Sequence, residues 1–286
     1  LVDYLQQKGG IISLDDLAAY EAKWRQPVSF DYKGLNIIAM SPPSSGGIVM
    51  GQIMKMAEDF PLQEYGHNSV KSIQVLTEAE RRAYADRSYF LGDPDFVDIP
   101  SEALLSESYL EERMAEFSFE TATPSEEISH GSLPGYESME TTHYSIVDAA
   151  GNAVSVTTTL NGAYGSKLYV DELGFFLNNE MDDFSAKPGE PNMFGLLGAE
   201  ANAIEPEKRM LSSMTPTIVE QDGELFMVLG SPGGSTIITS VMQVILNVAE
   251  YGMGMQQAVN APRFHHQWLP DVVIFEPEGF EAPLLD

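Results

Sequence analysis

The spacing of hydrophobic and polar positions divides the chain into a mainly helical first part and a second part rich in strands. Residues 48–60, 69–90 and 101–117 carry apolar side chains in a helical pattern, and residues 235–251 do so again near the end. Short apolar or alternating runs typical of strands fall at 28–30, 35–39, 142–146, 153–160, 175–177, 216–219 and 225–229. This order predicts an α+β protein in which β-sheets are covered by helical layers.

A segment of different composition, residues 118–140, separates the two parts. Ser, Thr, Pro, Gly and Glu dominate it and no apolar period survives, which predicts an exposed, mobile linker. We therefore expect a mostly helical region at 1–140 that ends in this linker. A second, β-rich region is expected at 141–286, and it begins with a strand.

The net charge of the chain argues against two classes of binding partner. The 286 residues include 15 Lys and Arg against 43 Asp and Glu, which gives a formal net charge of −28 at pH 7. Nucleic acids and anionic membranes are polyanions, so neither is expected to bind a protein of this charge. The acidic residues are spread along the chain, which indicates a property of the surface, such as an adaptation to salt.

Several further classes are excluded by what the sequence lacks. The chain has no cysteine, so disulfide scaffolds, thiolate metal sites and cysteine nucleophiles are ruled out. No run approaches the roughly 18 apolar residues of a membrane-spanning helix. No motif for a metal, a nucleotide or another cofactor is present, and none is expected. The sequence begins with Leu1 rather than Met, which we interpret as a start inside a longer protein.

Three polar clusters in the second part could carry chemistry. They are a threonine-rich strand start, a run of amide and acidic residues, and a pair of turns rich in serine and glycine. Taken singly, each has an ordinary explanation as a strand, a helix cap or a tight turn. The clusters are Thr141-Thr142-His143-Tyr144-Ser145, then Asn178-Asn179-Glu180-Met181-Asp182-Asp183, and finally Leu211-Ser212-Ser213-Met214-Thr215-Pro216 with Gly230-Ser231-Pro232-Gly233-Gly234.

Together, and in this order, these clusters resemble the small subunit of γ-glutamyltranspeptidases. Two runs in the first part resemble the large subunit of that family, Pro42-Pro43-Ser44-Ser45-Gly46-Gly47 and Tyr84-Ala85-Asp86-Arg87. The resemblance covers nearly the whole chain. It implies the fold of the N-terminal-nucleophile (Ntn) hydrolases, an αββα sandwich of two stacked, mainly antiparallel sheets between helical layers, present here as a fragment of a longer precursor.

The resemblance also implies a threonine nucleophile. The precursor would cut itself at the Glu140–Thr141 bond, which would end the large subunit at residue 140 and begin the small subunit with Thr141. The α-amine freed on Thr141 has an ordinary pKa of about 7.7–8.0, so it could act as the base for the hydroxyl of the same residue. Thr159 is implied to hydrogen-bond that hydroxyl. Thr157 shares a strand face with Thr159, and spacing alone does not choose between them.

The remaining site residues follow from the same resemblance. Gly233 and Gly234 would supply the backbone N–H groups of an oxyanion hole, because glycine allows close approach to a developing oxyanion. The γ-glutamyl head group would be held at both of its charged ends. The implied set is Asn161, Glu180 and Asp183 for the α-ammonium, Ser212 and Ser213 for the α-carboxylate, and Phe194 in the lid, where bacterial relatives carry tyrosine.

The implied reaction transfers a γ-glutamyl group in two stages. Thr141 would form an ester with the γ-glutamyl group of glutathione or a related compound, and water, an amino acid or a dipeptide would then accept it. The alternatives are a related acylase, which cleaves cephalosporins or poly-γ-glutamate, and a non-catalytic or unprocessed relative. The family's carboxylate-binding arginine is expected upstream of Leu1. Members are typically exported, so a periplasmic or secreted location is implied.

Overall fold

A four-stranded antiparallel sheet takes its strands from both parts of the sequence. The computed structural model describes residues 1–128, 141–277, 279–280 and 284. The strands are β1 (Val28–Tyr32), β2 (Leu35–Ala39), β3 (Thr141–Val147), β4 (Ala153–Thr159), β5 (Tyr169–Val170), β6 (Phe175–Phe176), β7 (Thr217–Gln221), β8 (Glu224–Leu229), β9 (Phe264–His265) and β10 (Ile274–Phe275). The order in this sheet is β1-β2-β7-β8, so the first part pairs with the second through β2 and β7.

Helices pack on this sheet and supply most of the buried apolar residues. They are α1 (Val2–Gln7), α2 (Leu14–Ala19), α3 (Gly46–Ala57), α4 (Leu62–Tyr65), α5 (Val70–Phe90), α6 (Ser101–Leu104), α7 (Glu107–Met114), α8 (Thr236–Ala249) and α9 (Met255–Asn260). Helix α3 contacts β1, β2, α5 and α8. Ile37 and Val219 of the sheet are fully buried with Ile53 of α3 and Ile245 of α8, which places the core between sheet and helices.

The hairpin of β3 and β4 forms a second β layer that packs against β7 and β8. Ser155 on β4 joins the layers, because its Oγ donates to the Leu229 carbonyl at 3.0 Å and accepts from the Thr217 amide at 3.0 Å. Ile146 and Val154 on the hairpin are about half exposed, at 56% and 50%. The described part therefore stacks helices, a sheet and a hairpin, in agreement with the predicted mixture of sheets and helical layers.

The segment between residues 118 and 128 lies against α5. Ser125 is fully buried, and its hydroxyl oxygen accepts from the Arg81 guanidinium. The Thr123 amide donates to Glu78 Oε1 at 3.0 Å, and Trp268 Nε1 donates to the Ser125 carbonyl at 3.0 Å. This half of the predicted linker is thus attached to the body by hydrogen bonds, whereas the other half, residues 129–140, lies outside the described residues.

One predicted helix is wrong in its extent. The pattern over 101–117 predicts a single helix, whereas the structure has α6 and α7 with a break between them. Ser106 lies at the break in an extended conformation, and its Oγ donates to the Ala103 carbonyl at 2.8 Å. A serine that bonds to nearby backbone in this way offers the chain an alternative to the helical bond, which explains the interruption.

No helix in the described ranges is long and apolar enough to cross a membrane.

Candidate active site

Thr141 and Thr159 face each other at the open end of the β3–β4 hairpin. They are direct cross-strand partners, and Thr141 Oγ1 donates to Thr159 Oγ1 at 3.4 Å. Thr157 pairs instead with His143, whose Nδ1 lies 2.8 Å from Thr157 Oγ1. The register therefore places Thr159, and not Thr157, opposite Thr141, where its hydroxyl is within hydrogen-bonding distance of the Thr141 hydroxyl. Glu140 lies outside the described residues.

Asn161 follows the end of β4 and contacts Thr159. Its amide N–H donates to Thr159 Oγ1 at 2.8 Å, and its φ of +73° is unusual for a residue with a side chain. The side chain is buried, and its Nδ2 donates to the Asn179 carbonyl at 3.3 Å. With that nitrogen engaged, the amide oxygen of Asn161 is the atom that can accept from an ammonium.

Glu180 and Asp183 share one turn of 3-10 helix, Glu180–Asp183, which brings two carboxylates to the same side of the site. Burial raises the pKa of Glu180 to about 7. Burial also raises the pKa of Asp183 to about 7, and the negative charge of Glu180 adds to the rise while the charge of Arg87 opposes it. Such a pair gains most from a cation, since an ammonium would stabilise both charged forms.

Ser212, next to Ser213, is held by the Pro- and Ser-rich loop of the first part. The Ser212 amide donates to the Pro43 carbonyl at 2.8 Å, and the Ser45 amide donates to the Ser212 carbonyl at 2.8 Å. Gly46 makes this approach possible, because a Cβ there would lie 2.3 Å from Thr215 Oγ1. The serine pair therefore belongs to a junction between the two parts of the chain.

Gly233 and Gly234 form the turn that leads into α8. Both have positive φ, +132° and +55°, which favours glycine. The ring of Phe194 rests on Gly234, where an added Cβ would lie 2.7 Å from Phe194 Cδ1. Phe194 itself is buried, and its carbonyl accepts from Gln267 Nε2 at 3.0 Å. The lid position and the predicted oxyanion hole are thus in direct contact.

These groups surround one small cavity. Its volume is about 20 Å³, which is room for about one water molecule. Phe194 is part of its wall, and the cavity as it stands is too small for a γ-glutamyl group, so part of the wall has to move to admit one. Gly233 and Glu180 are next to the cavity rather than in its wall. The predicted residues in the wall are Thr141, Thr159, Asn161, Asp183, Phe194, Ser212, Ser213 and Gly234, and they are joined by Leu196, Met214 and Ile237.

Some residues at the site were not assigned a role from the sequence. Arg87 donates from Nη2 to Ser213 Oγ at 3.2 Å, and Met193 places its sulfur 3.7 Å from Asn161 Nδ2. Arg87 stands in one of the recognised motifs, so its position was marked by the resemblance but its contact was not. Met193 had no signal beyond its place in the lid segment. Among the described residues, no group of three or more His, Asp or Glu is arranged as a metal site.

Comparison with known proteins places the chain in a family. A sequence profile described as gamma-glutamyltranspeptidase matches residues 1–286. The glutathione hydrolase proenzyme of Escherichia coli (strain K12) is 52% identical over 281 residues, which cover 98% of this chain and 48% of that protein. A mutant of Helicobacter pylori γ-glutamyltranspeptidase is 60% identical over 50% of this chain and 77% of its own, with a TM-score of 0.50.

The fold extends to a more distant structure. Cephalosporin acylase from Bacillus halodurans matches 99% of this chain and 48% of its own with a TM-score of 0.79 at 23% identity, a level that speaks for the fold alone. The predicted fold class, that of the Ntn hydrolases with antiparallel sheets and helical layers, is confirmed. The chain belongs to the γ-glutamyltranspeptidase family. It spans about half the length of the curated relatives that it matches.

Proposed function

We propose that this chain carries the nucleophile and the γ-glutamyl-binding groups of a γ-glutamyltransferase and glutathione hydrolase. The observation that carries the proposal is the hydroxyl pair of Thr141 and Thr159 in the wall of a cavity that also contains Asn161, Asp183, Ser212 and Ser213. Acceptors for an ammonium and donors for a carboxylate therefore surround the candidate nucleophile. This is the arrangement that a free amino-acid head group requires.

Activation begins with a cut of the Glu140–Thr141 bond, which turns Thr141 into an N-terminal residue. Its α-amine takes the proton of its own hydroxyl as Oγ1 attacks the γ-carbonyl carbon of the substrate. The hydrogen bond to Thr159 orients Oγ1 for this attack. The N–H groups of Gly233 and Gly234 stabilise the oxyanion, the C–N bond breaks, and the leaving amine receives the proton.

The second stage releases the enzyme. Water attacks the γ-glutamyl ester carbon and yields glutamate, or the amine of an amino acid or dipeptide attacks and yields a new γ-glutamyl amide. In either case the proton returns to Thr141 Oγ1 as the ester bond breaks. Glutathione is the proposed donor, and cysteinylglycine is then its leaving amine. We keep a periplasmic or secreted location, and the association of large and small subunits from one precursor, as parts of the same proposal.

A single substitution tests the proposal in the full-length precursor. Thr141→Ala removes the hydroxyl, so self-cleavage and release of anilide from γ-glutamyl-p-nitroanilide should both be lost. Intact-mass spectrometry and absorbance of the anilide measure the two results. Thr142→Ala is the matched control, because Thr142 is the exposed neighbour on the same strand. Normal turnover in Thr141→Ala would reject Thr141 as the nucleophile.

A comparison of substrates distinguishes the γ-glutamyltransferase from the acylase alternative. A glutaryl side chain, as carried by some cephalosporins, has no α-ammonium, so Glu180 and Asp183 would have nothing to pair with. The carboxylates and the serine hydroxyls together favour a substrate with a free glutamyl head group. The mature protein should therefore hydrolyse γ-glutamyl anilide far faster than a glutaryl anilide, which lacks the amine. Faster hydrolysis of the glutaryl compound would favour the acylase.

A further inference from the structure

Arg87 is a buried arginine that contacts two serines at the carboxylate side of the cavity. It lies near the end of α5 and only 5% of it is exposed. Its Nε donates to Ser45 Oγ at 3.0 Å and its Nη2 donates to Ser213 Oγ at 3.2 Å. Neither partner is charged, so the guanidinium is solvated by hydroxyl groups.

Arg87 differs in this respect from the other arginines in its neighbourhood. Arg81 and Arg82 on the same helix, and Arg113 on α7, each form an ion pair with a carboxylate. For Arg87 no carboxylate lies within 4.0 Å among the residues that the structure describes. A buried cation without a direct ion pair is costly, so an anion bound nearby would stabilise it.

The directions of the hydrogen bonds show how the Arg87 guanidinium affects the cavity through the serine hydroxyls. A guanidinium only donates, so the oxygen of Ser213 must accept from Arg87 and its own proton is directed elsewhere. Ser213 is part of the cavity wall, and a proton that points into the cavity is a donor for an anion. Ser45 works in parallel, because its Oγ accepts from Arg87 and donates to the Ser212 carbonyl at 2.8 Å.

The negative and positive charges at the site therefore lie on different sides of the cavity. The acidic turn with Glu180 and Asp183 provides the negative side, and Arg87 behind the serine pair provides the positive side. The two sides are close enough for the charge of Arg87 to oppose the rise that burial causes in the pKa of Asp183. A zwitterion with ammonium and carboxylate on one carbon fits this separation in a single orientation.

We propose that Arg87 is a positioning residue, which holds Ser213 as a hydrogen-bond donor toward the α-carboxylate of the γ-glutamyl group and supplies the positive charge behind it. This inference rests on the proposed function. Arg87 acts through the serine hydroxyl and does not contact the reacting atoms. It sets the orientation of the head group, and with it the place of the γ-carbonyl relative to Thr141.

The test compares two inhibitors on the processed, full-length protein. L-Glutamate carries the α-carboxylate, whereas 4-aminobutyrate has the same amine and γ-carboxylate but lacks the α-carboxylate. Arg87→Gln should raise the Ki of L-glutamate about tenfold, as expected for loss of a hydrogen bond to a charged group, and leave the Ki of 4-aminobutyrate nearly unchanged. Arg87→Lys keeps the charge, so it should recover part of the affinity for L-glutamate.

Two further variants separate positioning from a general structural effect. Arg82→Gln removes a buried arginine from the same helix and should leave the ratio of the two Ki values as in the wild type. In a Ser213→Ala background, Arg87→Gln should add little, because the hydroxyl through which it acts is gone. If Arg87→Gln does not accumulate in processed form, Arg87→Lys provides the test. Its Ki for L-glutamate divided by its Ki for 4-aminobutyrate should still be higher than in the wild type.

The outcomes distinguish this inference from the proposed function. If the wild-type protein does not turn over γ-glutamyl anilide, the proposed function fails and the inference fails with it. If the wild type is active and the Arg87 variants raise both Ki values equally, or neither, only the role of Arg87 is overturned. An increase confined to L-glutamate supports it.

Discussion

The proposed contacts of Glu180 and Asp183 with the substrate ammonium predict an affinity that depends on pH in the neutral range. Both have a pKa raised to about 7 by burial, so below pH 7 they gain protons and lose the charge that attracts a cation. The Ki of L-glutamate should therefore rise on acidification, by up to about tenfold per pH unit below 7 for each of the two carboxylates that must be ionised. Inhibition of γ-glutamyl anilide turnover between about pH 5.5 and pH 9 gives the profile.

Glutarate is the matched control for this profile, because it has the two carboxylates of glutamate and no amine. The ionised carboxylates of Glu180 and Asp183 repel it, so its Ki should fall on acidification, opposite to that of L-glutamate. In Glu180→Gln and Asp183→Asn the pH dependence of L-glutamate binding should weaken. Parallel profiles for glutamate and glutarate would contradict the assignment of the ammonium to these acids.

At the level of single residues, the sequence predicted most residues of the cavity wall, but not the contact that places a positive charge behind it. Thr141, Asn161 and Ser213 were found because their motifs resemble a known family, and the structure brings them to one cavity. The contact between Arg87 and Ser213 could not be found in this way. It joins residues 126 positions apart, and the distance between them depends on how α5 packs on the loop of Ser45.

Among the elements, the turn before α8 combines backbone strain with contact to the lid. Gly234 has a φ of +55°, and an added Cβ would lie 2.7 Å from Phe194 Cδ1. Gly234→Ala should displace both the N–H group and the ring. If this N–H is the oxyanion donor that we propose, kcat should fall about 100-fold, the usual effect of losing one such donor. Turnover of γ-glutamyl anilide by the processed protein measures the loss.

A second glycine serves as the control that distinguishes an effect on catalysis from an effect of backbone strain. Gly223, in the turn between β7 and β8, has a φ of +80° and nothing within 4 Å of an added Cβ. Gly223→Ala therefore has the same kind of backbone penalty without a clash, so it should lower the melting temperature and leave kcat near that of the wild type. Equal losses of kcat in both variants would show that Gly234 matters for stability only.

The elements themselves were predicted well where local signals were strong. Helix α5 begins after Ser69, whose side chain accepts from the Ser72 amide as an N-cap, and its predicted range was nearly right. The break at Ser106 was missed because the apolar pattern continues across it. The attachment of residues 118–128 was missed for a different reason, since polar composition indicates exposure and does not reveal that Arg81 reaches Ser125.

For the whole molecule, the charge of −28 predicts a stability that depends on salt. Repulsion between like charges destabilises the compact state, and salt shortens its range from about 30 Å at 0.01 M to about 3 Å at 1 M. The melting temperature of the full-length protein should therefore rise when NaCl is raised between these concentrations. At about pH 4, near the ordinary pKa values of Asp and Glu, far fewer carboxylates are ionised, so the same addition should have a smaller effect. An equal rise at both pH values would contradict screening as the cause.

The pairing of β2 with β7 means that a cut at Glu140–Thr141 would create two polypeptides but not two folding units. Each product would hold only part of the four-stranded sheet, and separation would bare the edges of both strands and the core beneath them. Neither chain is then a module that selection can exchange freely. A substitution in one polypeptide has to be compatible with the other, because both contribute strands to the same sheet. The two polypeptides should therefore evolve, and be degraded, together.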